Sequence, residues 1–248
     1  MNIVLIITLF LLMIYIDKKR GIKLFLSLIF NSFILLTIFY LMALGFNPII
    51  ISLIGCFIIS YIILYFVNGK NIKTKSSLKS IILVLLIISF IIFIITKLSR
   101  ISGFGYEAFE EINMFSYDIN IDFTNVAISL ILISLIGATV DASIAISSAL
   151  YEVYENNKKL SKKELYISGI NIGKDILCTT SNTILFAFIG DFLTLIIWYY
   201  KGNYSFIEII NSKTFVAEII KILFSTIGCI LVIPITSYIT SNSIKKVD

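Results

Sequence analysis

Asp141 is the side chain of this 248-residue sequence that most needs a chemical reason for its place. It interrupts an apolar run from Phe123 to Leu150, well away from either end, where a carboxylate is costly unless it has a task or a partner. Helical steps from it reach Ser134, Gly137, Ala138, Ala145 and Ser148, so the acid lies on a stripe of small and hydroxyl residues. Such a stripe admits either a closely packed helix or water. Two chemistries fit: a proton or ion path, the default for an acid in an apolar span, or a hydrogen bond to a neighbouring helix that fixes register. The expected neighbour is the run from Ile176 to Tyr200, where Asp175, Cys178, Thr179 and Asn182 share one helical face. Asn182 both donates and accepts, so it suits Asp141 in either protonation state. Measured from Leu150 and Ile176, the two differ in height by only about 4.5 Å, within side-chain reach. Glu218 and Lys221, three residues apart, read as a structural ion pair. Asp191 has no cation near it in the sequence, and Pro234 removes an amide from its helix.

Other chemistries lack their parts. Histidine is absent, and Cys56, Cys178 and Cys229 sit singly in apolar segments, which gives no zinc cluster, no Cys/His nucleophile and no disulfide framework. Gly169 to Lys174 reads G-x-x-x-G-K, one residue short of a phosphate loop and without the hydroxyl that holds magnesium. Ile189-Gly190-Asp191 lacks the first glycine of the G-x-G-D pattern associated with intramembrane aspartyl proteases, and Asp141 and Asp191 fall toward opposite ends of their spans. The expectation is therefore a protein that is not an enzyme, with no metal, no cofactor, and no nucleotide or nucleic-acid partner.

The elements that position these residues follow from composition. Hydrophobic residues make up 58% of the chain and charged ones 14%, against roughly a quarter charged in soluble domains, and mean hydropathy is +1.01. The fold class is all-α, a polytopic helical bundle in the lipid bilayer, drawn as a single domain. Seven spans are predicted, near residues 2–16, 22–44, 48–67, 81–96, 123–150, 176–200 and 215–238. The first and fourth reach only about 22 to 24 Å at 1.5 Å per residue, and the first is the weakest span. The longest stretches outside them run to roughly 25 residues, well below the ~50 a soluble domain needs.

Basic residues alternate in sign of side. Fifteen of the 20 fall in the clusters Lys18–Lys23, Lys70–Lys79, Lys158–Lys174 and Lys245–Lys246, whereas Lys97, Arg100, Lys201, Lys213 and Lys221 take the other side. The positive-inside rule then predicts an external N-terminus and a cytoplasmic C-terminus. A basic cluster that follows the first apolar run, instead of preceding it, is the pattern of a retained anchor and not of a cleaved leader. Ser161 and Glu164 have capping-box spacing, so a helix is predicted to start there. It could lie along the membrane surface through Leu165, Ser168, Gly169, Ile172 and Ile176, or simply extend the sixth span.

The run Gly137-Ala138-Thr139-Val140-Asp141-Ala142-Ser143-Ile144-Ala145-Ile146-Ser147-Ser148-Ala149-Leu150 resembles the YibE/F-like family of bacterial membrane proteins, as do Ser168 to Ile176 and Ser181 to Leu185. Phe46-Asn47-Pro48 and Ala217-Glu218-Ile219 extend the likeness over nearly the whole chain. Val140 stands where the resemblance leads one to expect methionine, and Lys174 where it leads one to expect arginine. Longer members carry an extracytoplasmic portion that this sequence lacks. The family's function is unknown. Gly137-x-x-Val140-Asp141-Ala142-x-Ile144 is also similar to the membrane half of SecD/SecF subunits and of resistance-nodulation-division permeases. That likeness implies proton-coupled movement through an intramembrane aspartate, two six-span halves about a pseudo-two-fold axis, and so a homodimer or pairing with a longer relative in the bacterial cytoplasmic membrane. No intramembrane Lys or Arg is placed opposite Asp141 by this reading, a departure from that pattern. The rival reading is a non-transporting scaffold or regulatory subunit.

The charge split predicts that a reporter fused after Lys246 is active only in the cytoplasm and one inserted near Glu110 only outside. Cytoplasmic activity at both sites would overturn the orientation.

Overall fold

A computed structural model of the chain describes residues 2–99 and 122–245, and among them the secondary structure is helical throughout, with no strand. The helices are α1 (Asn2–Ala43), α2 (Pro48–Tyr61, continued by a π-helical stretch Ile62–Val67), α3 (Ile72–Ser99), α4 (Phe123–Asn156), α5 (Lys162–Lys201), α6 (Phe206–Asn211) and α7 (Lys213–Ile244). All but the six-residue α6 are long and apolar enough to cross a bilayer. The loop carrying Glu107, Glu110, Glu111 and Asp118 lies outside the described residues.

The first two predicted spans are present as two helical arms within Asn2–Ala43, separated by a break at residues 17 and 18. Asp17 (φ −133°, ψ 25°) and Lys18 (φ 38°, ψ −113°) leave the helical region, and the chain doubles back on itself there. A Cβ on Gly21 would overlap the Met13 carbonyl, so glycine is what permits the return, and the Phe10 and Phe25 rings meet at 4.7 Å. The charged residues 17–20, which hydropathy reads as a loop, contain the two non-helical residues at which the chain reverses.

Elsewhere the helices outrun the predicted spans because polar caps start or extend them beyond the apolar segment. α3 begins nine residues before the span drawn at 81, where Asn71 Oδ1 accepts from the Thr74 amide (2.8 Å) and Thr74 Oγ1 accepts from the Asn71 amide (3.0 Å). α5 begins at the capping box of Ser161 and Glu164 and runs unbroken to Lys201, so its first turns extend the sixth span and form no separate surface helix. A second box, Ser205 and Glu208, starts α6. The Ser205 amide and then its hydroxyl hold the Glu208 carboxyl below the usual carboxylate range. A lowered value means that this cap persists at neutral pH and weakens only as pH falls through it.

The centre of the bundle is α3, α4 and α7, with Ile81, Ile88, Leu132, Leu135, Val140 and Val232 buried between them. A seam of hydroxyls ties these helices together. Ser77 Oγ donates to the Ser143 carbonyl (3.2 Å), Ser143 and Thr236 share a hydroxyl hydrogen bond (3.0 Å), Ser147 Oγ donates to the Lys73 carbonyl (2.8 Å), and Thr240 donates to Ser147 (3.4 Å). Small side chains let the backbones approach, and each interhelical bond contributes about 0.6 kcal/mol. α5 joins through Gly169 and Gly173. A Cβ on Gly173 would overlap the Ile233 methyl, and one on Gly169 would lie 2.8 Å from Ser237 Cβ and 2.9 Å from Leu150 Cδ1. The motif that mimics a phosphate loop is thus a helix crossing. α1 is peripheral, its large apolar side chains turned outward as a lipid environment allows.

The fold gathers the basic clusters at one end. Arg20 donates to Asn68 (2.7 Å), Lys73 sits over the Tyr151 ring (4.8 Å), and Lys245 sits over Tyr154 (4.8 Å) while donating to the Lys158 carbonyl (3.1 Å).

Gly169→Ala and Gly173→Ala should each destabilise the protein by about 1–3 kcal/mol through overpacking. Gly137→Ala should be neutral or slightly stabilising, because nothing lies within 4 Å of its Cβ position. Thermal unfolding in detergent checks the contrast, and equal losses at all three positions would contradict the crossing.

Candidate functional site

α4 turns two faces in different directions. Leu132, Leu135, Thr139, Ser143 and Ser147 enter the core, whereas Ser134, Gly137, Asp141 and Ala145 form an exposed stripe. Ala138 and Ser148 are half-buried at its edge. The stripe inferred from sequence therefore exists, and it is open instead of covered by a neighbouring helix. Asp141 makes no hydrogen bond and no ion pair with any described residue.

The expected hydrogen bond between Asp141 and Asn182 is not formed. Packing at Gly169 and Gly173 fixes the rotation of α5, which continues inward through Ile176 and Leu177. At 100° per residue Asn182 lies about 200° around the helix from Ile184, and Ile184 is the one that lines the shared cleft with α4 and α7. Asp175, Cys178, Thr179 and Asn182 are all exposed on the outward side. Thr179 spends its hydroxyl on the Ile176 carbonyl (2.9 Å). Counting residues along the axes left out rotation about them, which the two glycines set. Asp191 lies in α5, and its side chain falls outside the described residues.

One feature had no precursor in the sequence reading. A cleft of about 220 Å³ opens between α4, α5 and α7, lined by Ser134, Ile184, Ala187, Phe188, Glu218, Lys221, Ile222 and Ser225. Glu218 and Lys221 pair at 2.6 Å, both half-buried. The Ser134 and Ser225 hydroxyl oxygens lie 3.2 Å apart, and the single proton of each is shared between that contact and its own helix carbonyl, Ile131 (2.9 Å) for Ser134 and Lys221 (2.9 Å) for Ser225. The available signal was the spacing of Glu218, Lys221 and Ser225 by three and four residues, which places them on one face of α7. Among the described residues no group of three or more His, Cys, Asp or Glu side chains is placed to hold a metal ion.

An all-helical bundle with this many apolar helices, polar contacts turned inward and basic residues gathered at one end is a multi-pass membrane protein. Residues 5–246 match the sequence model described as YibE/F-like protein, and the chain belongs to that family. No curated protein and no solved structure matches it.

Breaking the half-buried pair from one side should cost more than removing it. Lys221→Met should lower thermal stability further than the double variant Glu218→Gln/Lys221→Met, because it leaves a charge without its partner. The difference expected for a half-exposed pair is about 1 kcal/mol, and a more stable single variant would show that the pair has no mutual dependence.

Proposed function

We propose that this protein is a proton- or ion-coupled permease or export-accessory subunit, with Asp141 as the titrating group. One observation carries the reading: Asp141 sits within the apolar length of α4 on an exposed stripe, bonded to no described side chain. A carboxylate kept for helix register would be expected inside an interhelical hydrogen bond. That task belongs to Ser77, Ser143, Ser147, Thr236 and Thr240. Register alone therefore gives no reason to retain an acid there, whereas proton or ion transfer does.

The basic end is the cytoplasmic end in this proposal, and the membrane is the bacterial cytoplasmic membrane. The uncovered stripe also supports assembly, as a homodimer or with a longer relative, since Gly137 leaves open space beside the acid. The same open space favours the second reading, a scaffold or regulatory subunit whose partner helix satisfies Asp141.

Asp141→Asn separates the two. It keeps shape and hydrogen bonding and removes titration. Proton or ion coupling predicts at least a tenfold loss in growth complementation of a deletion strain, with unchanged expression and thermal stability. Wild-type complementation by Asp141→Asn would defeat the coupling proposal, and loss of activity only together with folding would favour the scaffold.

A further inference from the structure

We infer that the outward face of α5 is the seam of a homodimer, in which α5 of one copy packs in parallel against α5 of a second copy of this chain. Asn182 pairs with its own counterpart across the two-fold axis, and Lys174 of each copy pairs with Asp175 of the other. The inference rests on the assembly part of the reading above, for which it names the surface and the partner, and not on titration of Asp141.

Spacing and depth define the face. Asn171, Asp175, Cys178, Asn182, Leu185 and Ile189 are all exposed, and their separations of 4, 3, 4, 3 and 4 residues are those of a heptad seam. The stripe runs for about 27 Å along α5. It lies on the side away from Gly169 and Gly173, which hold the helix against Leu150, Ile233 and Ser237. The Cβ position of Gly169 is 2.9 Å from Leu150 Cδ1, so residue 169 is level with the point where the apolar run of α4 ends. Asp175 then lies about 9 Å beyond that level, Cys178 about 14 Å and Asn182 about 20 Å, all within a hydrocarbon layer of about 30 Å. Lys174, Asp175 and Asn182 make no side-chain hydrogen bond and no ion pair with any described residue.

The chemistry of the face selects its occupant. Acyl chains offer no donor or acceptor to an amide or a carboxylate, so lipid is a costly cover and a helix is a better one. Two copies inserted the same way present their α5 helices in parallel. Asp175, Asn182 and Ile189 then take the first core position of successive heptads, and Asn171, Cys178 and Leu185 the other. An Asn at the first position fixes register and favours two strands, because its amide both donates and accepts and is satisfied by an identical amide opposite. Two facing Asp175 carboxylates alone would repel. The residue just before that position flanks the partner's side chain, however, and here it is the exposed Lys174. The two-fold axis makes this Lys–Asp contact twice. A helix of another sequence would have to reproduce base, acid and amide at matching heights, whereas a second copy does so by symmetry.

Cys178 supplies the test, since it is the exposed native cysteine and Cys56 and Cys229 are buried. Across such a seam it meets its counterpart closely enough for a disulfide. In the full-length protein in native membranes, the lipid-permeant oxidant copper phenanthroline should convert the wild-type chain to a covalent dimer of twice its mass that reduction reverses. Leu185→Cys on a Cys178→Ser background should behave alike. Both should react about tenfold faster or more than Thr183→Cys on that background, which is exposed but about 140° round the helix from Cys178. Lys174→Glu should slow the Cys178 crosslink about fivefold or more, and Lys174→Glu/Asp175→Lys should restore it. Seam thiols no faster than Thr183→Cys, a product of any other mass, or a charge swap without this loss and recovery overturns the seam. A dimer formed beside a fully active Asp141→Asn variant upholds the seam and removes the coupling reading, and a chain that stays single beside an inactive, folded Asp141→Asn variant does the reverse.

Discussion

A polar group in the hydrocarbon of a bilayer must find its partner within the protein, and that requirement organises this molecule. Backbone amides and carbonyls are satisfied by helix formation. Along the seam of α3, α4 and α7 the buried hydroxyls of Ser77, Ser143, Ser147, Thr236 and Thr240 are satisfied by one another and by neighbouring carbonyls, whereas those of Ser52, Ser76 and Thr96 find no partner among the described residues. The seam fixes which face of α4 turns inward, since Ser143 and Ser147 enter it. Once that face is fixed, Asp141 is necessarily on the other side. The exposed acid is thus a consequence of the same contacts that hold the core, and its orientation cannot be altered without breaking them.

The crossing of α5 has a similar effect. Gly169 and Gly173 seat it on α7 and Leu150, which turns Ile184, Ala187 and Phe188 toward the cleft and Asn182 away from it. The polar residues of α5 then point outward, toward lipid or a partner chain. Function, in the reading proposed above, lies where the packing is incomplete: an unpartnered acid, a glycine with open space beside it, and a cleft edged by an ion pair.

Much of the fold was legible in the sequence because hydropathy and charge act over whole segments. The apolar runs, the capping box at Ser161 and the clustering of basic residues each reflect a local cost that a linear sequence records. The turn at Asp17 and Lys18 was legible as the charged break between two apolar runs, while its backbone dihedrals were not, since charge marks a turn and says nothing of φ and ψ. Of the candidate site, the stripe through Asp141 was legible and its partner was not. Height along an axis follows from counting residues, but rotation about it depends on which helix claims which face, and that was settled by glycines first read as a failed phosphate loop. The hydroxyl seam had a visible signal, Ser and Thr at spacings of three and four in α3, α4 and α7. Its meaning emerged only when the three helices were seen together.

Coupling of the kind proposed above requires Asp141 to take up and release protons. Infrared difference spectroscopy of the full-length protein reconstituted in lipid tests it most directly, by following the carboxyl C=O band as external pH is stepped and assigning it by its absence in Asp141→Asn. A band that rises and falls with external pH, and shifts in deuterium oxide, is the predicted result. A carboxyl band assigned to Asp141 that responds to neither would contradict the account.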